Sequence, residues 1–294
     1  MNLPGVTELV NALVAGLLLG GLFAVTALGL SLVFGVMRLI NLVHGELIVL
    51  GAYLSLELIR RFGLDPLLTI VVVAPALFLL AIPIQRLLLE PLQAKGPEPA
   101  LLTTFGLSVI GQNVFILLWS GDTQTLKAAY ATDSLKILGL HVPVMYLISF
   151  AIGLALCAAV QFLVQHTNLG RSIRASAEDS EAAAALGVDV SRVRVFVYGL
   201  AAACAAVGGV LLGTTFDFTP TTGLTYLLTG FVVVVLGGLG SVKGTFLGAL
   251  LLGVIESVGG AFVGDGYRDF IGFVAFLIVL SIRPQGLFGR AAVL

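Results

Sequence analysis

VVVVLGGLGSVKGTFLGALLLGVIES, Val232 to Ser257, sets Gly237, Gly238, Gly240, Gly244 and Gly248 around a lysine and a threonine. Whether this stretch is a phosphate loop or part of a membrane span decides the class of the whole chain. A Walker loop needs G-x-x-x-x-G-K-[ST], because its lysine must follow the last glycine to reach the outer phosphates. Here the order is Lys243-Gly244-Thr245, and no Gly-Lys dipeptide occurs in the chain. A dinucleotide fingerprint fails as well, since Gly238, Gly240 and Gly244 are spaced G-x-G-x-x-x-G where G-x-G-x-x-G is required. The valines before the glycines and the apolar run after them read as bilayer segments.

Composition agrees with a bilayer. The 294 residues are 59% hydrophobic and 11% charged, with a mean hydropathy of +1.11, whereas soluble domains carry about 25% charged residues. This predicts an all-α, polytopic integral membrane protein. A net charge of −1 leaves no basic excess for nucleic acid. Cys157 and Cys204 sit in apolar runs without C-x-x-C spacing and read as small buried hydrophobes, not as a disulfide. The start, MNLPGVTELV, has no basic n-region, so the first apolar segment is expected to stay as a span.

A crossing helix needs about 20 apolar residues. That length cuts the chain into eight or nine spans near 9–36, 42–59, 66–85, 100–119, 141–165, 193–215, 224–239, 245–263 and 268–283, all within one domain, 1–294. The second span and the 224–263 region are interrupted by polar residues or glycines, so broken or re-entrant segments are expected there. Short cytoplasmic loops carry excess Lys and Arg. Placing Arg171, Arg174, Arg192 and Arg194 inside brings Arg86, Lys95, Lys243, Arg283 and Arg290 with them. Nine crossings then put the N-terminus outside and the C-terminus inside, with the polar loop 120–140 and DFTPTTGLTY external. Arg60, Arg61, Lys127 and Lys136 would be external too, against the rule, and one re-entrant segment would move the N-terminus inside.

Polar residues inside such a chain are costly and mark pathways or helix partners. Gly240, Gly244 and Gly248 recur every four residues, the small-xxx-small pattern of close helix packing. The same glycines suit a broken span whose freed helix N-terminus points at a carboxylate, and both readings stand for Gly238, Gly240 and Gly244. Arg38, Asn41, His44 and Glu46 interrupt GLSLVFGVMRLINLVHGELIVLGAY and are candidates for a translocation path or for an interfacial turn, Arg38 also as an anchor at the cytoplasmic interface. Glu256 is a tether between helices or a path group, and Gln112, Asn113 and Gln161 read as partners between helices. His44, His141 and His166 fall in separate segments, so no metal is expected, and no nucleophile-and-base motif is present.

The loop 167–192 contains a short helix with its own boundary signals. Ser176 can cap its start, Glu178 and Asp179 favour the positive end, Ala182 to Ala185 propagate it, and Gly187 ends it. Asp189 or Ser191 can cap the next span. A short helix between two basic ends is a rigid knob for a partner.

With these pieces in view, Glu181-Ala182-Ala183 followed by Gly187 resembles the EAA loop of the permeases of ABC importers. GLSLVFGVMRLINLVHGELIVLGAY, GRSIRASAEDSEAAAALGVDVSRV and VVVVLGGLGSVKGTFLGALLLGVIES are together similar to the LivH type of branched-chain amino acid permease, and the resemblance covers nearly the whole chain. It implies a bacterial inner-membrane subunit without enzymatic activity or a cofactor of its own, since ATP is bound by partners. Arg174, Asp179, Glu181, Ala182, Ala183 and Gly187 would couple to two cytoplasmic ATPase subunits. A second, LivM-type permease and an extracytoplasmic substrate-binding protein would complete the assembly, surrounded by membrane lipid. Asn41, His44 and Gly45 would lie near the translocation path of a branched-chain or other hydrophobic amino acid, or of a related small amide or carboxylate. The alternatives are an ion- or proton-coupled secondary transporter working through His44, Glu46 and Glu256, and a non-transporting scaffold.

Overall fold

The computed structural model describes residues 5–93, 95–137, 140–283 and 286–287, so Arg290 lies outside them. Each of the nine expected spans is a helix: α1 (Val6–Met37), α2 (His44–Phe62), α3 (Pro66–Pro83), α5 (Pro97–Trp119), α6 (Val144–His166), α9 (Val190–Thr215), α10 (Gly223–Gly237), α11 (Val242–Val263) and α12 (Arg268–Ile282). Pro83 removes a backbone donor, and α3 continues through a π turn, Ile84–Leu89, into the short α4 (Glu90–Gln93). Two helices, α7 (Asn168–Glu178) and α8 (Ser180–Ala185), fill the basic loop. The loop before α6 holds an antiparallel hairpin of β1 (Ser134–Ile137) and β2 (Leu140–Pro143), so the start of the span expected at 141 is strand.

Among the described residues, six helices are long and apolar enough to cross a bilayer unaided: α1, α3 through α4, α5, α6, α9 and α11. The others have a physical reason to fall short. α2 carries Glu46, Glu57, Arg60 and Arg61, and α10 and α12 are only 15 residues long, about 22 Å of helix.

Contacts fix the depth of the short helices. His44, the first residue of α2, meets the Thr26 carbonyl of α1 at 2.9 Å. Thr26 lies about 17 Å from the Met37 end of α1 at 1.5 Å per residue. The segment 38–43 therefore turns back from that end to mid-depth before α2 starts. α10 begins equally deep, because Gly45 of α2 packs directly on the Gly223 carbonyl. Its other end reaches the Met37 side, where Gly240 lies against Gly35. The chain is thus two inverted units: span α1, half-helix α2 and span α3, then span α9, half-helix α10 and span α11. The two half-helices leave the middle in opposite directions from N-termini that touch.

Packing follows the same exchange. α1 lies chiefly on α11 and α9, while α3 and α2 lie on α9. In both α1 and α9, 83% of the apolar stretch is buried within the chain, against 11% in α5. Small residues allow the inner approaches. A Cβ at Gly16 would come 2.6 Å from the Gly253 carbonyl, one at Gly20 2.6 Å from Leu250 Cα, and one at Gly51 2.8 Å from Ala206 Cα. Backbones this close gain dispersion contacts along their length, the principal attraction available between helices in lipid.

Charge divides unequally between the ends, with the larger share of Lys and Arg at the Met37 end although Arg60, Arg61, Lys127, Lys136 and Arg268 lie at the other. Arg60, which donates to Gln124 at 2.8 Å, lies beside the 120–143 loop, as does Asn11 of α1, which accepts from the His141 amide. The Met37 end carries Arg38, Arg171, Arg174, Arg192, Arg194 and Lys243, with Lys95 at the α4–α5 turn, where Gln93 meets Met37 Sδ. Lys and Arg concentrate on cytoplasmic loops, so the Met37 end is the inner one, the start of α1 is outer, and α12 returns the chain to the inner side.

Candidate functional site

Fully buried polar side chains lie around the touching half-helix ends. Asn41 is 0% exposed and His44 is 1% exposed. The His44 ring donates from Nε2 to the Thr26 carbonyl, leaving Nδ1 without a partner. Asn41 lies beside the Tyr198 hydroxyl of α9, without a well-formed hydrogen bond between them. Glu46 Oε1 accepts from Ser108 and from Gln112 of α5, each at 3.1 Å. Asn41, His44, Gly45 and Glu46 stay close in the chain but face different neighbours: His44 meets Thr26 of α1, Asn41 lies beside Tyr198 of α9, and Gly45 and Glu46 face Gly223 of α10, with Ser108 and Gln112 of α5 also on Glu46. Gln112 bridges helices as expected, whereas Asn113 bonds within α5, to the Val109 carbonyl.

Gly238, Gly240 and Gly244 lie elsewhere. Gly238 and Gly240 form the inner turn between α10 and α11, where Gly240 has φ +79°, a backbone that side chains disfavour. Ser241 Oγ then caps α11 by accepting from the Gly244 amide at 3.1 Å. Gly244 packs on the Gly237 carbonyl, and a Cβ at Gly248 would come 2.6 Å from the Gly237 nitrogen. These glycines zip α10 to α11 at the inner turn. The helix N-terminus freed at mid-depth is at the opposite end of α10, at Gly223.

Glu256 is not brought to Glu46. It is buried in α11 facing Thr229 of α10 and Asp269 and Gly272 of α12, and Thr229 is about 9 Å along the helix from Gly223. Gln161 and Lys243 border an apolar groove of about 330 Å³ between α6 and α11.

The inner face carries the second candidate region. Two helices stand where one was expected, and Ser176 is not a cap: it lies buried inside α7 with its hydroxyl unpartnered. Thr167 caps α7 by accepting from the Gly170 amide at 2.9 Å. Asp179 breaks the run and caps α8, accepting from Glu181 N at 2.9 Å and Ala182 N at 3.0 Å. Its carboxylate satisfies two otherwise orphaned donors at the positive end. Gly187, at φ +89°, closes α8, and Asp189 rather than Ser191 caps α9, accepting from Arg192 N at 3.0 Å. Arg174 reaches back to the Val164 carbonyl of α6. Ala183 is the buried residue of α8, while Glu181, Ala182 and Leu186 project outward. Leu186 is 85% exposed, an apolar tip the sequence reading did not single out. Arg38, Arg194, Ser176 and Glu178 to Glu181 line a notch of about 350 Å³ between this hairpin and the inner end of α1.

Residues 12–280 match the family model described as branched-chain amino acid transport system / permease component. The chain is 30% identical to the high-affinity branched-chain amino acid transport system permease protein BraD of Pseudomonas aeruginosa, over 99% of each chain. It is 29% identical to the LivH permease protein of Salmonella typhimurium and 28% identical to that of Escherichia coli, in both cases over 95% of this chain and 94% of the relative. No solved structure matches. The chain belongs to the branched-chain amino acid transport system permease family and is a multi-pass membrane subunit of a transporter.

Proposed function

We propose that this chain is one of two permease subunits of an ATP-driven importer for branched-chain amino acids, working by alternating access with two cytoplasmic ATPases, a LivM-type partner and an extracytoplasmic binding protein. The observation that carries this reading is α8, a helix capped at both ends, held against the inner ends of α7 and α9 and presenting Glu181, Ala182 and Leu186 outward. Such a knob transmits motion because its length and caps leave little freedom to absorb it. An ATPase groove gripping it would pull on α7, which packs against α1, α6 and α9. α1 leads through Arg38 into the segment bearing Asn41 and His44, so movement at the inner face reaches these buried polar residues through one continuous backbone.

The test is leucine uptake into proteoliposomes holding both permeases and the ATPases, with loaded binding protein outside. Uptake should require internal ATP. Glu181→Lys and Gly187→Asp should each lower uptake and substrate-stimulated hydrolysis at least tenfold while the chain still inserts. Uptake driven by a proton gradient without ATP would overturn the reading.

A further inference from the structure

The Glu46 carboxylate lies where the two half-helices meet, and it is only half satisfied. The residue is 3% exposed. Ser108 and Gln112 hold Oε1, while Oε2 has no partner and the described residues offer Glu46 no ion pair. Both oxygens lie over the first residue of α10: a Cβ at Gly223 would come 2.7 Å from Oε1 and 2.8 Å from Oε2. α10 starts without a side-chain cap, as does α2. An uncapped N-terminus carries about half a positive charge and several donors without acceptors, and its field is strong where water is excluded.

We propose that Glu46 and the N-terminus of α10 form a two-point site for the charged backbone of an α-amino acid. The substrate ammonium pairs with Glu46 Oε2, and its carboxylate takes the first amides of α10. This rests on the permease reading and names the substrate class at its deep site. The pairing follows from what each half lacks. Oε2 is an acceptor in want of a donor, and the α10 amides are donors in want of an acceptor. A simple anion leaves Oε2 unpaired beside a like charge, a simple cation leaves the amides unsatisfied, and a zwitterion satisfies both.

Four residues hold the geometry. Gly223 lets a carboxylate approach the helix end, and Gly45 lets α2 and α10 touch so that their ends share one locus. Ser108 and Gln112 take Oε1 and so leave Oε2 free for the substrate. Leu224 and Leu228, exposed on the first turns of α10, offer an apolar wall to the substrate's hydrocarbon chain.

Thr225, in the same first turn and exposed, reports on the site. In the full complex carrying Thr225→Cys, where native Cys157 and Cys204 are buried, modification by a cationic methanethiosulfonate is timed with leucine, 4-methylpentanoate (no ammonium) or 3-methylbutylamine (no carboxylate). Leucine should slow modification at least fivefold and the other two less than twofold. Glu46→Gln should reduce leucine's protection to that of 4-methylpentanoate, and Glu46→Asp should restore part of it. Protection by 4-methylpentanoate equal to leucine's overturns the proposal. So does full protection by leucine in Glu46→Gln, or a thiol that never reacts, since a path closed in this structure must open to water at some point in transport. The three-ligand comparison on the Glu46 background stands even if the Gln variant does not assemble. ATP-driven leucine uptake measured in parallel separates the levels: uptake without leucine-specific protection sinks the site and leaves the importer, and loss of ATP dependence sinks the importer itself.

Discussion

Gly45 is the residue on which the centre of the molecule turns. A methyl group there would run into the Gly223 carbonyl, and no side chain stands between the two backbones to yield. Overpacking of this kind costs about 1–3 kcal/mol or more, so Gly45→Ala should lower the thermal midpoint of the purified protein in detergent. Gly106 of α5 has nothing within 4 Å of its Cβ position, and the same change there should be neutral or stabilising by up to ~1 kcal/mol through helix propensity. Equal shifts in the two variants would remove the close approach as the cause. On the outer side, Tyr130 makes a comparable single-residue link. Its hydroxyl donates at 2.7 Å to Asp65 Oδ1, the same oxygen that caps α3. Burial first, then the bond to Asp65, pushes this phenol above its ordinary range, so it remains the donor throughout the physiological pH range. Tyr130→Phe should cost about 1 kcal/mol, read as a lower thermal midpoint.

At the scale of elements, α8 depends on its cap more than on its length. Six residues do not form a stable helix alone, and Asp179 supplies acceptors for two amides that would otherwise be orphaned. Asp179→Ala should cost about 1 kcal/mol of local helix stability and weaken copurification of the ATPase subunits, and Asp179→Ser, which retains a capping oxygen, should recover most of it. Equal copurification in wild type and Asp179→Ala would show that the cap does not shape the dock. The presence of a helix here was legible in the sequence, because Asp179, the alanines and Gly187 are local signals. The break at Asp179 was less so: Ser176 is also a good capping residue, and only its burial inside α7 decides against it. Most of the spans were legible for a similar reason, since each is set by its own apolar run, whereas α2 and the 224–263 region, interrupted by polar residues or glycines, were the doubtful ones. The start of α10 at mid-depth was not legible. TPTTG, Thr219 to Gly223, has the composition of an external loop, and its depth follows only from the packing of Gly223 on Gly45, residues far apart in the chain. Ser108 was hidden likewise, and Gln112, legible as a partner between helices, could not be assigned to Glu46, since only the fold brings α5 over it.

At the scale of the molecule, the two inverted units require that the chain leave the bilayer on opposite sides after α1 and after α9. Each re-entrant segment and its half-helix together make one crossing, so the parity of nine crossings holds although two of the helices start in the middle. The sequence reading allowed one re-entrant segment to reverse the N-terminus; two half-spans, each completed by its re-entrant chain, leave the start of α1 outside. The consequence can be read on intact spheroplasts with an impermeant thiol reagent. Asp122→Cys, Thr132→Cys and Asp265→Cys, all exposed at the outer end, should react before lysis. Leu186→Cys and Leu239→Cys, exposed at the inner end, should react only after it. Leu239 is the discriminating position, because it lies in the turn between α10 and α11. If α10 were a hairpin dipping from the outside and returning, the Leu239→Cys thiol would be modified from the outer face, just as the Asp265→Cys thiol is. Modification only after lysis requires that α10 continue from Gly223 to the inner surface, and hence that its N-terminus, against Glu46, lie within the membrane.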